Sequence, residues 1–152
     1  MNKLLKVILS IVITFIAAAI GSLATVNSLS TWYTELAKPF FNPPNWIFGP
    51  VWTALYILMA IAVYVVWAKE TDRMALGMYG VQLLFNVCWS VFFFGLQNPV
   101  LAFVCIIVLW AAILYTIILF YRIQPVAAYL LIPYLLWVTF AAILNGAIVI
   151  LN

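Results

Sequence analysis

Five long apolar runs, at about residues 5–27, 47–68, 74–96, 100–121 and 126–150, take up nearly all of the 152 residues. A helix needs about 20 apolar residues to cross a hydrocarbon core of roughly 30 Å, and each run supplies them. Charged residues are 6% of the chain, whereas a soluble domain carries about 25% to cover its surface. The fold class that follows is all-α: an integral membrane protein, a bundle of five transmembrane helices forming one domain over residues 1–152.

The first run, "MNKLLKVILSIVITFIAAAIGSLA", shares a basic start and small residues with secretory signals. Its apolar length favours a retained span, and Ala17, Gly21 and Thr25 give it a small-residue ridge at four-residue spacing for close helix packing. The basic residues are Lys3, Lys6, Lys38, Lys69, Arg73 and Arg122, and with five spans all except Lys38 fall on the side of the N-terminus. The positive-inside rule makes that side cytoplasmic, places the loop at about residues 27–45 and the C-terminus outside, and suits a bacterial cell membrane. The net charge of +3 then reports topology and not nucleic-acid binding.

No Asp, Glu, Lys or Arg falls well inside a span, which argues against an ion- or proton-coupled transporter. The chain has no His, the commonest haem and zinc ligand, and Cys88 and Cys105 have no paired spacing, so no metal site is expected. The short loops after the second, third and fourth spans predict that consecutive helices are antiparallel neighbours.

Only the first loop is long, and "KPFFNPPNWIFGPVWTALY" (residues 38–56) stiffens it with Pro39, Pro43, Pro44 and Pro50. Ser30 or Thr31 is placed to cap a short helical turn, and Asn45 to cap the second span, with Pro50 in its first turn. Trp32 and Tyr33 fit either a lid over the bundle or the aromatic belt of the membrane interface. Helical spacing then puts Phe48, Trp52 and Tyr56 on one face of the second span, Gln82, Asn86 and Ser90 on one face of the third with Trp89 and Phe93 beside them, and Pro133, Trp137, Ala141 and Asn145 on one face of the fifth. Pro133 is expected to kink that last span. At about 1.5 Å per residue these stripes share a layer roughly 8–15 Å below the loop side. Singly, such residues pack helices; together under a stiff roof they predict a largely apolar ligand pocket with Trp137 as its floor.

"WYTELAKPFFNPPNWIFGPVWTALY", "QLLFNVCWSVFFFG" and "PYLLWVTFAAILN" resemble the signature segments of the TspO/translocator protein family, the tryptophan-rich sensory or peripheral benzodiazepine receptor-like proteins. The resemblance implies a five-helix bundle, commonly a homodimer, binding porphyrins such as protoporphyrin IX and synthetic benzodiazepine- or isoquinoline-type ligands. It implies a ligand site of Trp32, Tyr33, Trp46, Trp52, Tyr56, Asn86, Trp89, Phe93, Trp137, Ala141 and Asn145. Many members have Trp where this chain has Phe40 or Phe41, and the sterol motif that follows the last span in animal members is missing. The expected partners are thus a porphyrin or another flat amphipathic molecule, membrane lipids and a second copy of the chain, for which Gly77 and Gly80 offer a packing surface. No cofactor is required. The leading function is a membrane receptor or sensor; the alternatives are light- and oxygen-dependent porphyrin breakdown, with Trp52 and Trp137 as the catalytic pair, and tetrapyrrole or lipid transport.

Overall fold

The computed structural model describes all residues, 1–152, as helices joined by short connections, with no strand. The spans are α1 (Lys3–Leu29), α3 (Phe48–Lys69), α4 (Arg73–Ser90, continued by a π-helical turn Val91–Gly95), α5 (Pro99–Ile123) and α6 (Pro125–Leu151). The one-turn helix α2 (Trp32–Glu35) and a 3₁₀ turn (Asn45–Ile47) lie in the first loop.

Local chemistry fixes the helix ends. Asn2 accepts from the Leu4 N–H, Asp72 from Ala75 and Asn98 from Leu101, each satisfying a donor that a first turn leaves open. Pro99 and Pro125 open α5 and α6, where the missing N–H costs nothing. Asn45 does not cap α3; its amide donates to the Leu29 carbonyl at 3.4 Å, and the 3₁₀ turn leads into the helix instead. The small turn α2 is preceded by Thr31, whose hydroxyl bonds back to Asn27 and caps nothing. α6 continues through Pro133, which leaves the Tyr129 carbonyl without its usual donor.

Around the bundle the order is α1, α3, α6, α5, α4 and back to α1. The expectation that consecutive spans are neighbours therefore fails for α3 and α4, which barely touch despite a three-residue connection. α1 lies between them, because its buried face is made only of Ser10, Thr14, Ala17, Gly21 and Ser28. Side chains this small let it sit close to both partners. Two bonds tie it to α4: the Thr14 and Tyr79 hydroxyls lie 2.6 Å apart, and the Ser28 hydroxyl donates to the Phe94 carbonyl at 2.7 Å.

That second bond depends on the π turn, which composition and periodicity did not reveal. The Leu96 N–H reaches five residues back to Val91, and the widened register would offer Phe94 the nitrogen of Pro99, which carries no hydrogen. Ser28 supplies the donor instead. Gln97, with φ of 52°, takes the left-handed conformation that reverses the chain into α5.

A candidate ligand cavity in one half of the bundle

The half of the bundle nearer the N-terminus is solid, filled by Met59, Val66, Tyr79, Leu83, Ile113, Phe120, Leu131 and Tyr134. The other half is hollow. A cavity of about 470 Å³ is lined by α1 from Phe15 to Leu29, α3 from Phe48 to Tyr56, the end of α4 with its π turn, and α6 from Trp137 to Ile148, under Tyr33 of the first loop. α5 does not reach it, so the cavity lies where the ring of helices is lined by aromatic and small residues.

The residues expected at the site divide into two groups. Tyr33, Trp52, Tyr56, Trp89, Phe93, Trp137, Ala141 and Asn145 line the cavity together. Trp32, Trp46 and Asn86 do not. Trp32 packs edge-on against Phe93 with centroids 5.6 Å apart, while Trp46 points away from the bundle and is 73% exposed. Asn86 is buried behind the wall: its Oδ1 accepts from the Tyr56 hydroxyl at 2.6 Å and its Nδ2 donates to the Tyr134 hydroxyl at 2.8 Å. Tyr134 in turn donates to Gln82 Oε1 at 2.8 Å, so the Gln82–Asn86 stripe of α4 serves to hold the phenols of α3 and α6.

Asn145 has the same positioning geometry although it touches the cavity. Its Oδ1 accepts from the Trp89 indole at 3.1 Å and its Nδ2 donates to the Pro99 carbonyl at 2.9 Å, which commits both ends of the amide. The cavity wall is consequently a set of oriented rings whose polar atoms are largely satisfied among themselves. Trp52 is central to it, with Tyr56 at 5.8 Å, Tyr134 at 6.3 Å and Trp89 at 6.4 Å between centroids. Trp137 packs against Phe48 and Phe140, and its indole N–H is buried without a partner.

Hydrogen bonds hold the roof in place. The Tyr33 hydroxyl donates to Asn42 Oδ1 at 2.6 Å, and the Lys38 ammonium, over the Tyr33 ring at 4.9 Å, donates to the carbonyls of Tyr33, Leu36 and Thr34. Burial pushes the Tyr33 phenol up to about 12, against a smaller lowering by the Asn42 bond. The side chain of Asn152 forms a two-bond clamp on Ala37, accepting from its N–H at 3.0 Å and donating to its carbonyl at 2.9 Å.

The α1 lining, with Phe15, Ala18, Ser22, Thr25 and Leu29, escaped sequence reasoning, as did Phe94, Phe140 and Tyr134. The Ala17–Gly21–Thr25 ridge was the visible signal: Ala17 is buried in the packing face, while Gly21 and Thr25 also line the cavity, so small size marked a face that serves both.

The sequence profile of the TspO/MBR family matches residues 10–151. The chain is 44% identical over 152 residues to the tryptophan-rich protein TspO of Archaeoglobus fulgidus, covering 99% of both. It is 38% identical to the tryptophan-rich sensory protein of Cereibacter sphaeroides, covering 92% of this chain and 90% of that one, and 39% identical to the human translocator protein, covering 75% and 70%. A five-span bundle, matched by the family profile over nearly its whole length, places the chain in the TspO/MBR family.

Proposed function

We propose that the protein is a membrane receptor or sensor that binds a flat, amphipathic tetrapyrrole such as protoporphyrin IX in the aromatic cavity, with benzodiazepine- or isoquinoline-type compounds as synthetic occupants. The observation that carries this reading is the wall itself. Trp52, Trp89, Phe93 and Trp137 line one space whose nearby amides are spent on orienting rings, so the site selects for π surface and shape over charge. Its volume, about 470 Å³, lies in the range of small-molecule sites. The name of the Cereibacter sphaeroides relative, a sensory protein, and that of the human translocator protein agree with a role in responding to or passing on a bound molecule. Titration of the purified protein with protoporphyrin IX tests it: saturable quenching of indole fluorescence is expected, and quenching no stronger than that of free tryptophan in the same detergent rejects it.

Proximity of indoles to the cavity favours a second reading. Light-excited porphyrin would accept one electron from Trp52 or Trp137 and hand it on to dioxygen, giving superoxide. The indole radical cation would take its electron back from the ground-state macrocycle, and the porphyrin radical cation so formed would combine with superoxide, opening the ring, with the protein supplying position and the porphyrin the chemistry. Trp52→Phe and Trp137→Phe should then slow product formation under light more than they weaken binding. Equal product from wild type and variants removes this reading and leaves the receptor.

The proposal extends to a homodimer in the bacterial cell membrane. Gly77 and Gly80 on α4 face open space, which suits close approach of a second α4. Retention of a monomer's mass in mild detergent and in nanodiscs would exclude it.

A further inference from the structure

The cavity has a second boundary besides its roof. Ala19, Ser22 and Val26 of α1 and Gly49 and Thr53 of α3 line it and are also exposed on the outside of the bundle, so its wall is incomplete between these two helices. The hydrogen bonds between α1 and α3 or the turn before it lie only at the ends, from the Lys6 ammonium to the Trp67 carbonyl at 2.6 Å and from Asn45 to Leu29 at 3.4 Å. Deeper than the gap the two helices meet through the rings of Phe15 and Tyr56, 6.5 Å between centroids. The Thr25 and Thr53 hydroxyls at the rim donate to Gly21 and Gly49 of their own helices, each at 2.8 Å. No side-chain hydrogen bond therefore crosses the gap, and these rim hydroxyls offer lipid no free donor.

Ser22 lies seven residues from Leu29, roughly 10 Å below the loop-side end of α1, and this is within the apolar half-thickness of a bilayer. The roof, by contrast, is held by the Asn152–Ala37 clamp, the Tyr33–Asn42 bond and the Lys38 contacts. Opening the roof breaks several hydrogen bonds; passing between α1 and α3 breaks none. We propose that this gap is a lateral portal, through which an amphiphile dissolved in the loop-side leaflet reaches the cavity without leaving the bilayer. The identity of the amphiphile rests on the receptor reading above; the portal itself does not. Its small rim, Ala19, Ser22, Gly49 and Thr53, admits a flat ring edge-on, and the membrane concentrates an apolar ligand at the opening. A portal belongs to the path and not to either end state, so closing it slows arrival and departure together and leaves affinity unchanged.

Two measurements in a Cys88→Ser, Cys105→Ser background test this. In the first, Ser22→Cys and Thr53→Cys are joined by a flexible bis-maleimide, and protoporphyrin IX exchange between vesicles and protein is followed by fluorescence. Relative to the same double-cysteine protein left unbridged, bridging is expected to slow association and dissociation by roughly tenfold each, whereas a bridge across the roof, between Ala37→Cys and Asn152→Cys, leaves both rates near those of its own unbridged form. Unchanged rates after the first bridge, or slowed rates after the second, overturn the portal. The second measurement needs no porphyrin: Ala141→Cys, deep in the cavity, is labelled by pyrene maleimide dissolved in the bilayer, with and without Thr53→Trp at the rim. Labelling blocked by Thr53→Trp supports the portal even if the parent binds no porphyrin, an outcome that rejects the receptor reading alone. Labelling that ignores Thr53→Trp overturns the portal even if porphyrin binds.

Discussion

The Tyr56 hydroxyl donates to Asn86 Oδ1 at 2.6 Å, which makes a cavity wall residue dependent on a side chain that never reaches the cavity. Removing Asn86 also leaves the Tyr134 hydroxyl without its donor. In water an unsatisfied buried group costs about 1–3 kcal/mol, but polar pairs inside membranes average only about 0.6 kcal/mol because the dispersed helices find other partners. The lower figure governs here, so Asn86→Ala should fold with a modest loss of thermal stability.

Its effect on ligand affinity should pass through Tyr56. Asn86→Ala and Tyr56→Phe are each expected to weaken protoporphyrin IX by about fivefold, corresponding to roughly 1 kcal/mol. The double variant should weaken it no further. Additive losses in this double-mutant cycle would mean that Asn86 meets the ligand directly.

Ala141 sets the volume available beside Trp137, since it lines the cavity at 8% exposure and sits four residues further along the same face of α6. Ala141→Leu extends a larger side chain from this position into that space. Overpacking then costs a bulky ligand about 1–3 kcal/mol of affinity, with the melting temperature nearly unchanged. Wild-type affinity in this variant would locate the ligand elsewhere.

What could be read from sequence was what helical period and depth determine. Trp52, Tyr56, Trp89, Trp137 and Ala141 share a layer because equal distances from the loop-side helix ends become equal depths. Which helices are neighbours is another matter. Loop length limits where α4 can begin but not whether α1 slips between it and α3; that depends on how closely a face of Ser10, Thr14, Ala17 and Gly21 can approach, a property of packed pairs and not of one strand of sequence. Likewise Asn86 carries the same spacing signal whether it faces ligand or Tyr56, and only the partner's position distinguishes them.

Topology has its own test. The distribution of Lys and Arg predicts that the first loop lies outside the cell. Thr34 is exposed in that loop, so Thr34→Cys in a background lacking Cys88 and Cys105 should react with a membrane-impermeant maleimide in intact cells. Reaction only after lysis would invert the protein in the membrane.

Asn152 and Ala37 join the far end of α6 to the first loop through two hydrogen bonds that no other side chain duplicates, so Asn152→Ala should loosen the roof from that edge. Faster amide exchange is expected across residues 32–42 and not in the spans, because Lys38 and the Tyr33–Asn42 bond still organise the loop internally. The Tyr33 phenol adds a pH signature. Its value of about 12 in the folded protein stands above the ordinary 10 because burial penalises the phenolate. A raised value means that the folded state holds the proton more tightly, so the contribution of Tyr33 is complete below pH 10 and is lost as pH rises from 10 through 12. Exchange in the loop should accordingly be no more extensive at pH 9 than at pH 7, once intrinsic rates are divided out, and should rise above pH 10 in wild type. Tyr33→Phe, which has no proton to lose, should begin from a looser roof and show no step in that window attributable to residue 33. A step of equal size in both proteins would assign the change to another group and detach the roof's stability from the Tyr33–Asn42 bond.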